Sequence, residues 1–290
     1  MITEIEGVQV GHWTDEEART GCTVIILPEG TVASGEVRGG APATREFALL
    51  DPLRTVANVD AIVLSGGSAF GLASADGVVR YLEESGRGFP VVVARVPIVV
   101  ALSLFDLAVG DASIRPNAES GYQASLNANV GPVQLGSVGA GTGATIGKWR
   151  GWTAARPGGL VGSVRKHGDL VVASLVAVNA LGDPLEGASA GVDVTDLEAA
   201  GWLEDTPKLP FGNTTIGAVV TNAKLTKAEC HLVAQSAHDG LARSLAPVHT
   251  ASDGDAFVAA ATGTVPVGVA AVRELAATVV AEAVRSLAKR

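Results

Sequence analysis

Cysteine is nearly missing from this sequence: Cys22 and Cys230 are the only two among 290 residues. Two thiols build neither a disulfide framework nor a zinc quartet, so a reducing compartment, the cytoplasm, is the expected location. Aromatic residues make up only 4% of the chain and charged residues 18%. Positive charge is the scarcer sign, with 21 Lys and Arg against 30 Asp and Glu and a net charge of -9. An acidic chain is repelled by a phosphate backbone, and the one basic cluster, at 285–290, suits the C-terminal end of a helix, so no nucleic-acid partner is expected. Long apolar runs are missing as well. The most apolar stretch, 91–105, is broken by Arg95, and no membrane span is expected. The opening residues Met-Ile-Thr-Glu-Ile-Glu-Gly lack the basic end and apolar run of a secretory signal.

Small apolar residues fill the space left by these absences. Hydrophobic residues reach 47% and glycine numbers 36, enough to bury a full core, which excludes disorder. One compact domain over 1–290 is preferred to two. Short strands are predicted at 8–10, 22–27 and 31–37, and a further one at 59–64 runs into Ser65-Gly66-Gly67-Ser68. Leu72, Ala75, Val78, Val79 and Leu82 recur at helical spacing and predict a helix over 69–84. Val91 to Val93 reads as another buried strand, 117–127 as a weak helix, and the glycine-laden run 136–147 as a loop. A hairpin is expected from 160–164 and 170–178, split by the turn Lys166-His167-Gly168-Asp169. After a polar stretch over 183–212 come a strand at 214–221, a helix over 226–245 opened by the capping pattern Thr226-Lys227-Ala228-Glu229, a strand near 256–260 and a final helix. Strands and helices mix without regular βαβ alternation, so the fold class is α+β, layered on large sheets.

Several familiar signatures fail. Gly139-Ala140-Gly141-Thr142-Gly143 lacks the third correctly spaced glycine of a dinucleotide site, and no Gly-Lys-Ser/Thr phosphate loop occurs. His12, His167, His231, His238 and His249 form no His-Glu-x-x-His pair, and neither a metal nor a cofactor is expected; each histidine is read as a surface or core residue. Gly187-Ala188-Ser189-Ala190-Gly191 matches a nucleophile elbow, but Gly182-Asp183-Pro184 breaks any strand that would feed it.

The informative segment is Gly212-Asn213-Thr214-Thr215-Ile216, where a polar loop becomes a buried strand at a threonine. An internal threonine hydroxyl is a weak nucleophile. Cleavage of the preceding bond would give Thr214 an α-amino group, whose pKa near 8 suits a general base. Taken alone, Thr214 is an ordinary strand opener.

Other segments add to it. Gly7-Val8-Gln9-Val10-Gly11-His12, Leu64-Ser65-Gly66-Gly67-Ser68-Ala69-Phe70-Gly71-Leu72, Gly139-Ala140-Gly141-Thr142-Gly143-Ala144, Val178-Asn179, Gly212-Asn213-Thr214-Thr215 and His249-Thr250-Ala251-Ser252-Asp253-Gly254-Asp255 follow one another in an order that resembles the DmpA-type aminopeptidase family. These are self-processing hydrolases that include L-aminopeptidase/D-esterases, β-aminopeptidases and the nylon-oligomer hydrolase. The resemblance covers nearly the whole chain. It implies a four-layer α/β/β/α sandwich of the Ntn-hydrolase-like kind shared with ornithine acetyltransferases, and a homo-oligomer, expected as a tetramer.

The resemblance also implies site residues. Autocleavage is expected between Asn213 and Thr214, splitting the chain into 1–213 and 214–290, with Thr214 the nucleophile. Lys148 stands where the nylon-hydrolase branch has a lysine, and a buried ammonium there would favour the free base of the Thr214 amine. Asn179 is the expected oxyanion donor, and Asp253 and Asp255, two apart on an incipient strand, are expected to face one side and orient the Thr214 amine and hydroxyl. The substrate is expected to be a small peptide or amide. Threonine at the junction and Asp-Gly-Asp later on depart from the best-known aminopeptidases, which use serine and a Ser-Gly-Asp variant, and tilt the mechanism toward the threonine branch. Two alternatives stand beside this one: an acyltransferase of the ornithine acetyltransferase type, and an uncleaved, non-catalytic binding protein in which Thr214 merely starts a strand.

Overall fold

The computed structural model describes residues 1–186, 192–204 and 212–288. Its main strands are β1 (Gln9–Asp15), β2 (Thr20–Ile26), β3 (Val32–Val37), β4 (Thr44–Arg45), β5 (Ala61–Ser65), β6 (Val99–Ser103), β7 (Gly159–His167), β8 (Leu170–Asn179), β9 (Thr214–Ala223) and β10 (Ala256–Val265). The main helices are α1 (Ser74–Glu84), α2 (Ala118–Leu126), α3 (Lys227–Ala242) and α4 (Val269–Arg285). One five-stranded sheet has the order β1-β2-β5-β6-β4 and a second the order β7-β8-β9-β10-β3. Each is antiparallel except for one parallel pair, β5 with β6 and β9 with β10.

Strand periodicity builds four layers. Successive side chains of a strand point to opposite faces. Ile25, Ile62, Leu64, Leu102, Leu175, Ile216, Ala218 and Val258 meet between the two sheets. Their neighbours Val24, Ala61 and Val63 face Ala75, Val78 and Leu82 of α1 and Ala124 of α2. On the far side, Val172, Val176, Val219 and Phe257 pack against Val233, Ala237, Val280 and Val284 of α3 and α4. Strands covered on both faces need no polar alternation, hence the unbroken apolar runs. The α+β class and the α/β/β/α layering are as expected. The small residues let the layers close up: a Cβ on Gly77 would lie 1.7 Å from the Ala118 carbonyl oxygen, so α1 and α2 touch backbone to backbone there.

The helix caps match the sequence. Asn117 accepts from the Ser120 N–H to start α2, and Thr226 with Glu229 forms a reciprocal capping box at α3. Two elements differ. The helix expected over 69–84 is a short turn, Ser68–Gly71, followed by α1. The strand expected at 91–93 is the tip of an exposed hairpin, Phe89–Val91 against Ala94–Val96, with Val92 and Val93 104% and 90% exposed. The buried strand of that region is β6, just after Pro97. Pro90 has no ladder donor, and Arg95 reaches the Gly88 carbonyl and Glu29 at the surface, so this run has no place in a central strand. The segment Gly187-Ala188-Ser189-Ala190-Gly191 lies outside the described residues. Among those described, no helix is long and apolar enough to cross a membrane.

Candidate active site

Strand pairing brings the predicted residues together at one end of the second sheet. In the antiparallel β8–β9 ladder Asn179, the last residue of β8, lies directly opposite Thr214, the first of β9. The parallel β9–β10 register opens at Ile216 opposite Ala256. The residues just before therefore run side by side, and Asn213 bridges to Asp253. Lys148 comes from another part of the chain. Gly147, at φ +76°, turns the backbone into the short helix Lys148–Arg150, which is fastened to the end of β8 through Gly147 N–H to the Gly182 carbonyl (3.0 Å) and Trp149 N–H to the Leu181 carbonyl (3.1 Å).

All five candidates are buried; Thr214, at 5% exposure, is the most open. The Thr214 hydroxyl donates to the carbonyl oxygen of Asn213, the residue before it. That same oxygen accepts the Gly254 N–H at 2.9 Å. Gly254 must lack a side chain, since a Cβ there would sit 2.7 Å from Thr214 Oγ1.

Asn179 is held on every side. Its Oδ1 accepts from the Thr145 N–H (2.9 Å) and from Lys148 Nζ (2.9 Å). Its amide Nδ2 donates to the carbonyls of Phe105 (2.8 Å) and Gly212 (3.1 Å). Lys148 Nζ also reaches the Asn179 carbonyl (3.2 Å) and the Gly212 carbonyl (3.4 Å), and lies 5.6 Å from the centre of the Trp152 ring. Burial pulls the Lys148 amine down to about 7, the nearby Asp253 partly opposing it.

The two aspartates have different partners, and neither makes a hydrogen bond to Thr214 among the described residues. Asp255 Oδ1 accepts the N–H of Thr215 at 2.7 Å, and its Oδ2 accepts the N–H and ring Nδ1–H of His249. Asp253 Oδ2 accepts the N–H (2.9 Å) and hydroxyl of Thr250, while its Oδ1 faces the Leu181 N–H at 3.4 Å. Burial, and then the charge of Asp255, push the Asp253 carboxyl above its ordinary range.

Three contributors had no usable signal in the sequence. The Arg38–Ala41 backbone clasps the Asp-Gly-Asp loop, with Gly39 N–H on the Asp255 carbonyl and Ala41 N–H on the Asp253 carbonyl. Asp106, next to Phe105, takes the Gly67 N–H and the Thr20 hydroxyl, each at 2.7 Å, and so ties the Ser65-Gly66-Gly67-Ser68 turn to the segment that supports Asn179. His249 opens the segment that carries Asp253 and Asp255, yet nothing in that segment marks it as their partner. Among the described residues no group of three or more His, Cys, Asp or Glu is placed to hold a metal ion. The arrangement suits acyl transfer: a hydroxyl rests on a carbonyl already polarised by an N–H, with an amide donor and an amine that exchanges protons near neutrality close by.

Comparison with known proteins agrees with this chemistry. The sequence profile of peptidase family S58 matches residues 1–289. An uncharacterized aminopeptidase of Mycobacterium leprae is 43% identical over 291 residues, covering 91% of this chain and 79% of its own. A 6-aminohexanoate-oligomer endohydrolase of a Kocuria species is 30% identical over 275 residues, covering 89% and 74%. Among solved structures, a β-aminopeptidase of a Burkholderia species superposes with a TM-score of 0.72 at 24% identity, over 98% of this chain and 84% of its own. The L-aminopeptidase D-Ala-esterase/amidase of Ochrobactrum anthropi, described as a new variant among the Ntn hydrolase fold, gives 0.72 at 19% identity with the same coverage. At these identities the two structures speak for the fold.

Proposed function

Because this chain belongs to peptidase family S58, the DmpA-type hydrolases of peptide and amide bonds, we propose that it is a self-processing threonine hydrolase whose nucleophile, Thr214, is released by cleavage of the Asn213–Thr214 bond. The observation that carries the proposal is the junction itself. The Thr214 hydroxyl and the Gly254 N–H converge on the Asn213 carbonyl oxygen, in a site too buried for an outside substrate.

In the processing step the Thr214 hydroxyl oxygen adds to the Asn213 carbonyl carbon and the Gly254 N–H holds the oxyanion. The C–N bond breaks, the Thr214 nitrogen gains the proton that the hydroxyl gave up, and an ester joins Asn213 to Thr214 Oγ1. Water hydrolyses the ester, leaving a carboxylate on Asn213 and a free amine and hydroxyl on Thr214. The two pieces stay together, because β9 is the central strand of its sheet. Withdrawal of residues 212–213 frees the donors that Asn179 and Lys148 had spent on the Gly212 carbonyl.

In turnover the Thr214 amine takes the hydroxyl proton as oxygen attacks a substrate amide. Asn179 Nδ2 donates to the oxyanion, the leaving amine receives the proton from the Thr214 ammonium, and water deacylates the enzyme. Lys148 holds Asn179 Oδ1, which aims the amide, and its charge favours the free base of the Thr214 amine. Asp253 and Asp255 hold the loop and the strand start on which Thr214 sits. The substrates proposed are small peptides or amide oligomers. Intact-mass measurement tests the proposal: the wild-type chain resolves into species ending at Asn213 and starting at Thr214, and Thr214→Ala stays whole. A wild-type chain that remains in one piece after prolonged incubation contradicts it.

A further inference from the structure

His249 occupies an unusual backbone position, φ +56°, in the left-handed region that residues other than glycine seldom adopt. That conformation folds the chain back so that both its N–H and its ring reach a residue six positions on. The N–H lies 3.2 Å and Nδ1 2.9 Å from the same oxygen, Oδ2 of Asp255. The other oxygen of that carboxylate, Oδ1, accepts the Thr215 N–H at 2.7 Å. Asp255 thus spans the distance between a histidine and the peptide immediately after Thr214, buried to 1% exposure.

The ring of His249 is itself fixed. It stands edge-on to His238 with centroids 4.9 Å apart, and its Nε2 faces the His238 carbonyl at 3.5 Å. A carboxylate oxygen only accepts, so Nδ1 carries a proton and donates it to Asp255 Oδ2. His238 in turn gives its Nε2–H to the Glu36 carbonyl and packs edge-on against Phe257, the second residue of β10. Burial holds His238 down at about 4, so an uncharged ring backs His249.

We propose that His249 is a positioning residue that acts through Asp255 to fix the Thr215 N–H, and with it the Thr214 hydroxyl against the Asn213 carbonyl. This rests on the self-processing reading of Thr214. Held at Oδ2 by the His249 N–H alone, at 3.2 Å, the carboxylate would turn more freely about its last bond. With Nδ1–H and the His249 N–H both on Oδ2, only Oδ1 faces β9.

The test compares two replacements that both tolerate the left-handed backbone, His249→Gly and His249→Asn. Glycine keeps the conformation and removes the side-chain donor; the asparagine amide overlays Nδ1 and restores it. Each chain is made by cell-free synthesis and its division followed by intact mass, with a thermal melt of each in a Thr214→Ala background. Loss of the donor is expected to slow division about tenfold or more, and asparagine to restore it to within about threefold of wild type. A glycine variant that divides at the wild-type rate overturns the role of His249, as does an asparagine variant as slow as the glycine one. A wild-type chain that never divides overturns the self-processing reading and this role together. If the glycine variant gives no cooperative melt, His249→Gln takes its place: its longer amide does not overlay Nδ1, so it should be slow while His249→Asn is fast, and equal rates overturn the role.

Discussion

Lys148 Nζ and Asn179 Oδ1 meet at 2.9 Å in a site from which solvent is excluded, both side chains having no exposed surface. The contact fixes which way the Asn179 amide points. With Oδ1 on the ammonium and on the Thr145 N–H, Nδ2 is turned toward Phe105 and Gly212, the side of the Asn213–Thr214 junction. The same burial that makes the contact strong makes the charge costly.

That cost sets a pH dependence of stability. Lys148 titrates at about 7 in the folded chain against an ordinary 10.5. Between those values the unfolded chain binds the extra proton, so the Lys148 contribution makes stability rise with pH across this window, by on the order of a few kcal/mol in full. Lys148→Met is expected to remove the rise. Urea unfolding at several pH values from 7 to 10, in a Thr214→Ala background that keeps the chain whole, gives the difference between the two chains directly. Identical slopes would show that Lys148 does not titrate there. In chains that retain Thr214, Lys148→Met is expected to slow division about tenfold or more.

Asp253 has the opposite sign. Its folded-state pKa is raised above the ordinary 3.8 by burial and by Asp255. Unfolding therefore releases a proton in the window from 3.8 upward, and the Asp253 contribution to stability falls as pH rises through it. Asp253→Asn keeps an acceptor for the Thr250 N–H and hydroxyl and abolishes the titration. The asparagine variant is expected to gain on the parent as pH rises above 4, measured by denaturant unfolding in the Thr214→Ala background.

Asn179→Ala removes the amide proposed for the oxyanion. Loss of one such donor costs about 10²- to 10³-fold in rate, and a loss of that order is expected in hydrolysis of amino-acid anilides and amide oligomers by the processed enzyme. Asn179→Asp should fare no better, because a carboxylate has no N–H to give the oxyanion and would set an oxygen against the Phe105 carbonyl. A variant that retains full kcat would remove Asn179 from the mechanism.

The parts of this molecule that were legible in its sequence are those set by local pattern. Asn117 and Thr226 cap the helices they were expected to open, and the turn through Gly168, at φ +55°, joins the expected hairpin. The site residues were legible through an ordered family pattern, since nothing local distinguishes Thr214 from any threonine that opens a strand. What stayed hidden depends on contacts distant in sequence. Val91 to Val93 is as apolar as a core strand, and only the packing of β6 beside β5 shows that the place is taken. A lysine in a glycine-rich loop reads as solvated until Asn179 and Gly212, 31 and 64 residues away, close around it. His249 needed a left-handed backbone to reach Asp255, and a histidine carries no sequence mark of that conformation.

Gly254 offers the most direct test of the junction geometry. Its N–H donates to the Asn213 carbonyl, and the space where a side chain would stand is filled by Thr214 Oγ1 at 2.7 Å, Thr214 Cγ2 at 3.2 Å and the Ala41 carbonyl oxygen at 2.7 Å. Gly254→Ala leaves every ionisable group in place but forces either the threonine rotamer or the loop to move. Overpacking of this kind costs about 1–3 kcal/mol. The larger effect is expected in rate, because a displacement of about 1 Å between nucleophile and carbonyl costs on the order of 10²-fold. Gly268→Ala is the matched control. Nothing lies within 4 Å of its added Cβ at the start of α4, far along the chain from the junction. It is expected to divide at the wild-type rate, with melting changed only slightly. Intact mass against time separates the two. If Gly254→Ala divides as fast as Gly268→Ala, the Thr214 hydroxyl does not need the position it holds against the Asn213 carbonyl.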